Sequence, residues 1–359
     1  MTETATDNAP ADPPAPRRLK LGFHTRISFP TARAAKSLRD GIELFRAGER
    51  LGYDMGWVYH RHFDNYLAAP LVFLPVVAEH TERIGLGTAI IGMRYEDPIL
   101  LAEAAGTADL LAGGRLQLGL GTGMGGFDVA FGQPPNNGRD QSQARLATFL
   151  RGIRGEKIGV VNAPVSALTP GTELVVRPTS PTLPERVWFG AGSVASAQRI
   201  GTQGLRLMTS TILTGRFDDY AAEQARVIAA YRASYAGASP PRVAVSRSIL
   251  PAASPELARL YAAYDEERRT QGPAASRPSG ALAPTASSSA EFTMSQSIHG
   301  DPSAVVEKLL ADPAVATADE LIAFLPPAFG LRENLRLISD IADIVGPRLG
   351  WEPGGADGR

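Results

Sequence analysis

Cysteine is absent from this 359-residue chain, which excludes disulfides, thiolate metal sites and a cysteine nucleophile. Charge of one sign is missing too, since 36 Lys and Arg face 37 Asp and Glu, a formal net charge of −1. No block of five or more basic residues occurs. Neither nucleic acid nor an anionic membrane surface therefore finds the electrostatic footprint it needs. No apolar run reaches the ~18 residues of a membrane-spanning helix. These absences describe an expected cytoplasmic protein. With 44% hydrophobic and 20% charged residues, the composition is that of a globular chain with a sizeable core. The length admits two average domains or one barrel with insertions. Residues 1–18 are polar and rich in Ala and Pro, and their basic pair comes last. That order reverses a secretory signal, and a disordered tail is expected. Residues 351–359 read as a C-terminal tail.

What is present is a rhythm of short apolar runs and amphipathic stretches. Strands are predicted at Leu19–His24, Met55–Tyr59, Ile84–Ile91, Arg115–Leu120, Val187–Gly190, Leu205–Thr209, Val243–Ile249 and Leu321–Leu325. Helices are predicted between them, one of them closed by Gly52 and another opened by Pro70, whose missing N–H costs nothing at a first helical position. Eight strand-then-helix units predict a parallel sheet, either closed into a (β/α)₈ TIM barrel or doubly wound. The barrel is the favoured fold class, as one domain over residues 19–350. Two segments break the rhythm. Lys157–Pro184 reads as an insertion before the fifth strand, with a hairpin in it. Residues 272–292, mostly Gly, Pro, Ser and Ala, read as a mobile lid or simple disorder after the seventh strand's helix.

Four stretches could carry chemistry. Gly121-Thr122-Gly123-Met124-Gly125-Gly126 satisfies G-x-G-x-x-G after a strand, which raises a nicotinamide dehydrogenase. The sequence that follows cannot continue a helix, and a glycine-rich loop that lets a flat ligand approach the backbone is the better reading. His60-Arg61-His62-Phe63-Asp64 lies at the end of the second strand, where a barrel keeps its active site. No second cluster supplies further ligands, so a metal is not expected. Gly190-Ala191-Gly192-Ser193-Val194-Ala195-Ser196 joins a strand to a helix and leaves N–H groups for a phosphate, or serves only as a helix cap. Gly85-Leu86-Gly87-Thr88-Ala89 puts glycines in a strand, for close ligand approach or for barrel packing.

Together, GERLGYDMGWVYHRHF, TERIGLGTAIIGMRYEDPILLAEAAGTADLLAGGRLQLGLGTG and VWFGAGSVASAQRIGTQGL resemble the bacterial luciferase-like monooxygenase family. The resemblance implies FMN at the C-terminal strand ends, usually in a homodimer. It implies an isoalloxazine ring against Gly87, Thr88 and Ala89, where a non-proline cis peptide is common. Ser193 and Ser196 match phosphate-binding positions. Gly121, Gly190, Ala191 and Gly192 are expected to line the cofactor, and Thr122 falls where luciferase-type members carry a basic residue near the phosphate. Luciferases have Glu-His-His where this chain has His60-Arg61-His62, so Arg61 occupies the catalytic histidine's place. A guanidinium cannot act as a base, but it can orient an oxygen species or a substrate. His62 is the expected proton-transfer residue, since imidazole titrates near neutrality, and His24 is expected to line the same pocket. The expected reaction is oxygenation of a small organic substrate by O₂ and reduced FMN through a flavin C4a-hydroperoxide, with a separate NAD(P)H:flavin reductase. A deazaflavin-dependent oxidoreductase and a non-catalytic flavin-binding protein are the alternatives.

Overall fold

The computed structural model describes residues 18–29, 33–133, 138–271 and 291–354. The expected tail (Arg18 excepted) and all but the last two residues of the expected lid lie outside these. Eight strands close into a barrel: β1 (Lys20–Thr25), β2 (Met55–Val58), β3 (Gly85–Gly92), β4 (Leu116–Gly121), β5 (Val187–Gly190), β6 (Arg206–Thr209), β7 (Val243–Arg247) and β8 (Glu320–Phe324). Every pairing is parallel, and the order β1-β8-β7-β6-β5-β4-β3-β2 follows the chain around the ring. The open-sheet alternative is thereby excluded. Strands buried on both faces must be apolar almost throughout, and β2 and β8 are buried at every position.

Helices α1 (Ala34–Arg50), α2 (Pro70–Ala78), α3 (Pro98–Leu111), α4 (Arg139–Ile153), α5 (Val194–Thr202), α6 (Tyr220–Ser234) and α7 (Pro255–Gln271) follow the first seven strands. The chain between β7 and β8 also holds α8 (Pro302–Leu310) and the single turn α9 (Pro313–Ala316), and α10 (Leu331–Asp340) follows β8. Gly52 ends α1 with φ +86°, the left-handed cap a glycine adopts without penalty. The large core lies between strands and helices. A small second core fills the barrel itself with Met55, Trp57, Trp188, Met208, Ala244 and Ile322.

The insertion before β5 holds a short antiparallel pair, Gly159–Val160 with Glu173–Leu174. It is tied to the barrel by Ser180 Oγ, which donates at 2.5 Å to fully buried Asp109 of α3, whose carboxylate also takes both Arg186 Nη atoms at 2.8 Å. Two further pairs were not anticipated: Ile249–Pro251 with Ile298–Gly300, and Ile212–Thr214 with Phe292–Met294. The folded body also runs past residue 350. Trp351, expected in a tail, is buried against Tyr53, and its Nε1 donates to Asp54 at 2.9 Å.

The N-terminal end of the barrel carries a polar layer. Trp57 Nε1 donates to Glu320 at 2.6 Å, while Trp188 and Arg206 both donate to Gln117 Oε1. Burial lifts Glu320 to about 7, although the Trp57 hydrogen bond and Lys20 pull the other way. A raised folded-state value means that the unfolded chain sheds this proton first, so stability is lost as pH rises from 4.5 towards 7. Glu320→Gln keeps an acceptor for Trp57. It should stabilise the protein at pH 8 on the order of 1–3 kcal/mol and change little at pH 4, as read by urea unfolding at both pH values.

Candidate active site

The C-terminal strand ends gather the residues that the sequence singles out. β3 is irregular where it approaches this mouth: its register against β4 shifts between Thr88 and Ile91, and the Ala89–Ile90 peptide is cis. Ala89 and Ile90 are half-buried and pack on the core inside the barrel. They form the floor of the mouth. The glycines nearby are fitted to that floor. A Cβ on Gly119 would lie 1.9 Å from the Thr88 carbonyl oxygen, and one on Gly121 would lie 1.9 Å from Ile90 Cδ1. Gly87 is closed off by the Trp57 ring, with a Cβ placed 2.1 Å from it. Thr88 is fully buried and exchanges hydrogen bonds with the Gly119 backbone at 2.9 and 3.0 Å. Gly87 and Thr88, expected to meet a cofactor, are packed into the barrel wall. Ala89 remains at the surface of the mouth.

Two histidines grip this floor. His24, at the end of β1, places Nε2 3.2 Å from the Ala89 carbonyl and stacks on Phe324. A carbonyl only accepts, so Nε2 carries the proton. Burial first, then the nearby Arg26 charge, lowers His24 to about 3. His60 makes backbone hydrogen bonds to Ala68 and Ile90, and burial together with His62 lowers it to about 4. Both rings are therefore neutral near pH 7.

His62 lies beside them, its ring centroid 4.6 Å from His60 and 4.9 Å from Phe131. Its Nε2 is buried, makes no hydrogen bond, and sits 3.5 Å from Glu96 Oε1. Glu96 escaped the sequence reading, although it follows β3 at the same end of the barrel. His60, His62 and Glu96 each offer a ligand atom within 4.8 Å of the others. The third ligand that was missing from the local motif is thus supplied by the fold. Asp64, in contrast, pairs with Arg61 at 3.2 Å, and Arg61 also donates to Tyr59 Oη at 3.2 Å. A cavity of about 200 Å³ opens here, lined by His60, Arg61, His62, Ile90, Tyr95 and Phe127 among others.

Across the barrel, the turn after β5 leads into α5. Ser193 caps the helix by accepting from the Ser196 N–H at 3.4 Å. The first intrahelical bond runs from Ala197 to Ser193, so the amides of Val194 and Ala195 stay outside the ladder. Arg199 Nη2 donates to Ser196 Oγ at 3.1 Å, a cation not anticipated from the motif. Gly190, Ala191 and Gly192 bring the backbone into this turn, and a Cβ on Gly190 would press on Ile90 Cδ1 at 3.2 Å. Thr122 spends its carbonyl on Ser142 Oγ. No helix opens directly after the Gly121–Gly126 turn, so the dinucleotide-binding geometry is not formed there.

The depressed histidines make a test by pH. The unfolded chain takes up a proton near pH 6.5 at each, and the folded chain does not until about 4 or 3. Stability should fall as pH drops through this window, by about 1.4 kcal/mol per pH unit for each histidine. His24→Phe should reduce the slope by one histidine's share, measured as unfolding free energy between pH 6.5 and 5.

The luciferase-like monooxygenase family matches residues 19–319. The 4-hydroxyprotoasukamycin monooxygenase of Streptomyces nodosus subsp. asukaensis is 32% identical over 141 residues, 38% of this chain and 36% of that protein. The F420-dependent glucose-6-phosphate dehydrogenase of Amycolatopsis mediterranei is 34% identical over 98 residues, 26% of this chain and 29% of that protein. The matched stretches span 36–52% of the first curated relatives. Among solved structures, the oxygenating constituent of 3,6-diketocamphane monooxygenase from Pseudomonas putida, in complex with FMN, superimposes with a TM-score of 0.66. It is 17% identical and covers 92% of this chain and 98% of that one. The chain belongs to the luciferase-like monooxygenase family.

Proposed function

We propose that this chain is a flavin-dependent monooxygenase that takes reduced FMN and O₂ and oxygenates a small organic substrate. The observation that carries the reading is the pairing of two features across one barrel mouth. One is the half-buried Ala89–Ile90 floor gripped by neutral His24 and His60. The other is the Ser193–Ser196 turn with Arg199 beside it. A floor of this kind suits a flat ring, and a helix N-terminus with free amides, hydroxyls and a guanidinium suits a phosphate. FMN has both parts. Reduced FMN, when bound, supplies the electrons that activate O₂.

The protein's own part is to bind, orient and manage protons. His62 holds or moves a proton at Nε2, with Glu96 as its neighbour to orient the ring. Arg61 is held by Asp64 and Tyr59 at the edge of the same cavity, where it orients substrate or an oxygen species. The aromatic wall of Tyr95, Phe127 and Phe131 limits water there. A nicotinamide reductant is better placed on a separate NAD(P)H:flavin reductase, since the Gly121–Gly126 turn opens no helix. Val72, Val76, Leu100 and Leu111 on α2 and α3 are exposed, which supports burial of that face in a homodimer.

Two outcomes are expected. Ser193→Ala and Arg199→Ala should each weaken FMN binding by about tenfold and leave riboflavin binding nearly unchanged, by fluorescence quenching. Equal loss for both flavins would remove the phosphate role, and preference for a deazaflavin over FMN would replace the cofactor. His62→Ala should lower substrate-dependent O₂ consumption with supplied FMNH₂ by about 10²-fold or more, at unchanged FMN affinity. Full turnover in that variant would exclude His62 from the chemistry.

A further inference from the structure

The wall of the mouth beside β7 and β8 holds a second concentration of polar groups that the flavin reading does not use. Arg268, on α7, is 4% exposed. Its Nη1 donates to the Ser295 carbonyl at 3.1 Å and to Ser297 Oγ at 3.3 Å. Both acceptors are neutral, and among the described residues no carboxylate forms an ion pair with this guanidinium. Asp265 attracts it only at longer range and is itself committed to Arg269 and the Ser297 amide. Burial pulls the arginine below its ordinary pKa, the mark of a cation short of countercharge.

Three hydroxyls with unused hydrogen-bonding capacity surround it. Tyr264 Oη, one helical turn before Arg268, is buried and makes no hydrogen bond. Its neighbour Ser248 Oγ, just beyond β7, is fully buried and also unbonded, the two lying close without bonding geometry. Ser295 Oγ, on the residue whose carbonyl takes Arg268, is buried and unbonded as well. Orphaned buried hydroxyls cost on the order of 1–3 kcal/mol each, and three of them beside a buried cation seldom gather by accident. The group adjoins the reaction space: the Arg268 guanidinium sits 5.8 Å from the Phe324 ring, which His24 stacks against and Arg26 covers from 5.1 Å.

We propose that this cluster binds the oxyanion of the substrate, a carboxylate or a phosphate ester on a small organic molecule. The assignment rests on reading the mouth as a flavin site, whose phosphate-binding turn follows β5. This cluster follows β7, two strands round the ring from β5, so the two anion sites stand on separate parts of the same mouth. An oxyanion supplies the countercharge that Arg268 lacks and accepts from all three hydroxyls. A neutral ligand would leave the buried cation uncompensated.

The test titrates the full chain, without flavin and at low ionic strength, with benzoate and separately with inorganic phosphate by calorimetry. One of the two should bind with 1:1 stoichiometry beyond any phosphate taken by the Ser193 turn, and which one does distinguishes a carboxylate from a phosphate substrate. Arg268→Gln should weaken it by about tenfold or more, and the isosteric Tyr264→Phe and the small change Ser248→Ala by several-fold. Circular dichroism confirms that each variant is folded, and Tyr264→Phe keeps the test open should Arg268→Gln not fold. Ser193→Ala should leave unchanged the benzoate affinity and the phosphate binding event that Arg268→Gln removes. Failure of both anions to bind would overturn the assignment, as would equal binding by wild type and Tyr264→Phe. Phosphate binding lost in Ser193→Ala and kept in Arg268→Gln would overturn it too. Oxyanion binding as expected, without any O₂-dependent product, would sustain the assignment and reject the monooxygenase reading.

Discussion

Where β3 loses register against β4, side chains must be surrendered on its neighbours. Thr88 and Ile90 lean so close to β4 that Gly119 and Gly121 have no room for a Cβ, and Gly190 of β5 is nearly as confined. The mouth of the barrel depends on this contact. It lifts the Ala89–Ile90 peptide into the opening and frees the Ala89 carbonyl from the ladder for His24. It also sets the height of the floor above Trp57 and Trp188, whose edge-to-face packing fills the barrel below. The glycine-rich stretches of β3 and β4 are in this sense one steric feature shared between two strands.

Electrostatics divides the mouth into zones. Its floor is neutral, because burial keeps His24 and His60 uncharged. Its walls are cationic on two sides, with Arg199 at the head of α5 and Arg268 on α7. Arg26 and Arg61 stand between them, held by aromatic rings and by Asp64. A net charge of −1 conceals this local excess of positive charge, since compensating carboxylates lie elsewhere on the surface. His62 lines the cavity near the floor, with Glu96 Oε1 behind it 3.5 Å from its Nε2.

The barrel was legible because its strands are buried on both faces and its helices on one, and each state leaves its own spacing of apolar residues. Val187–Gly190 agrees with the structure at both ends, and Pro70 opens its helix and Gly52 follows the end of α1 as expected. The short pairs Ile249–Pro251 with Ile298–Gly300 and Ile212–Thr214 with Phe292–Met294 escaped, because three residues carry no period. Trp351 was misplaced for a different reason: its partners Tyr53 and Asp54 lie some three hundred residues away.

The site divides along the same line. Sequence alone determined which residue types stand at each strand end: His24, the His60–Arg61–His62 run, and the serine-bearing turn after β5. Those are local facts, decided by chain order and strand direction. Tertiary structure decided what each one does. It packed Gly87 and Thr88 into the barrel wall, tied Arg61 to Asp64, and brought Glu96 to His62. It also set Arg199 beside Ser196, and gathered Arg268, Tyr264, Ser248 and Ser295 from a helix, a strand end and a returning loop. The physical reason is that closure of the ring makes neighbours of residues far apart in sequence. Burial and hydrogen bonding act through space, and a motif records only distance along the chain.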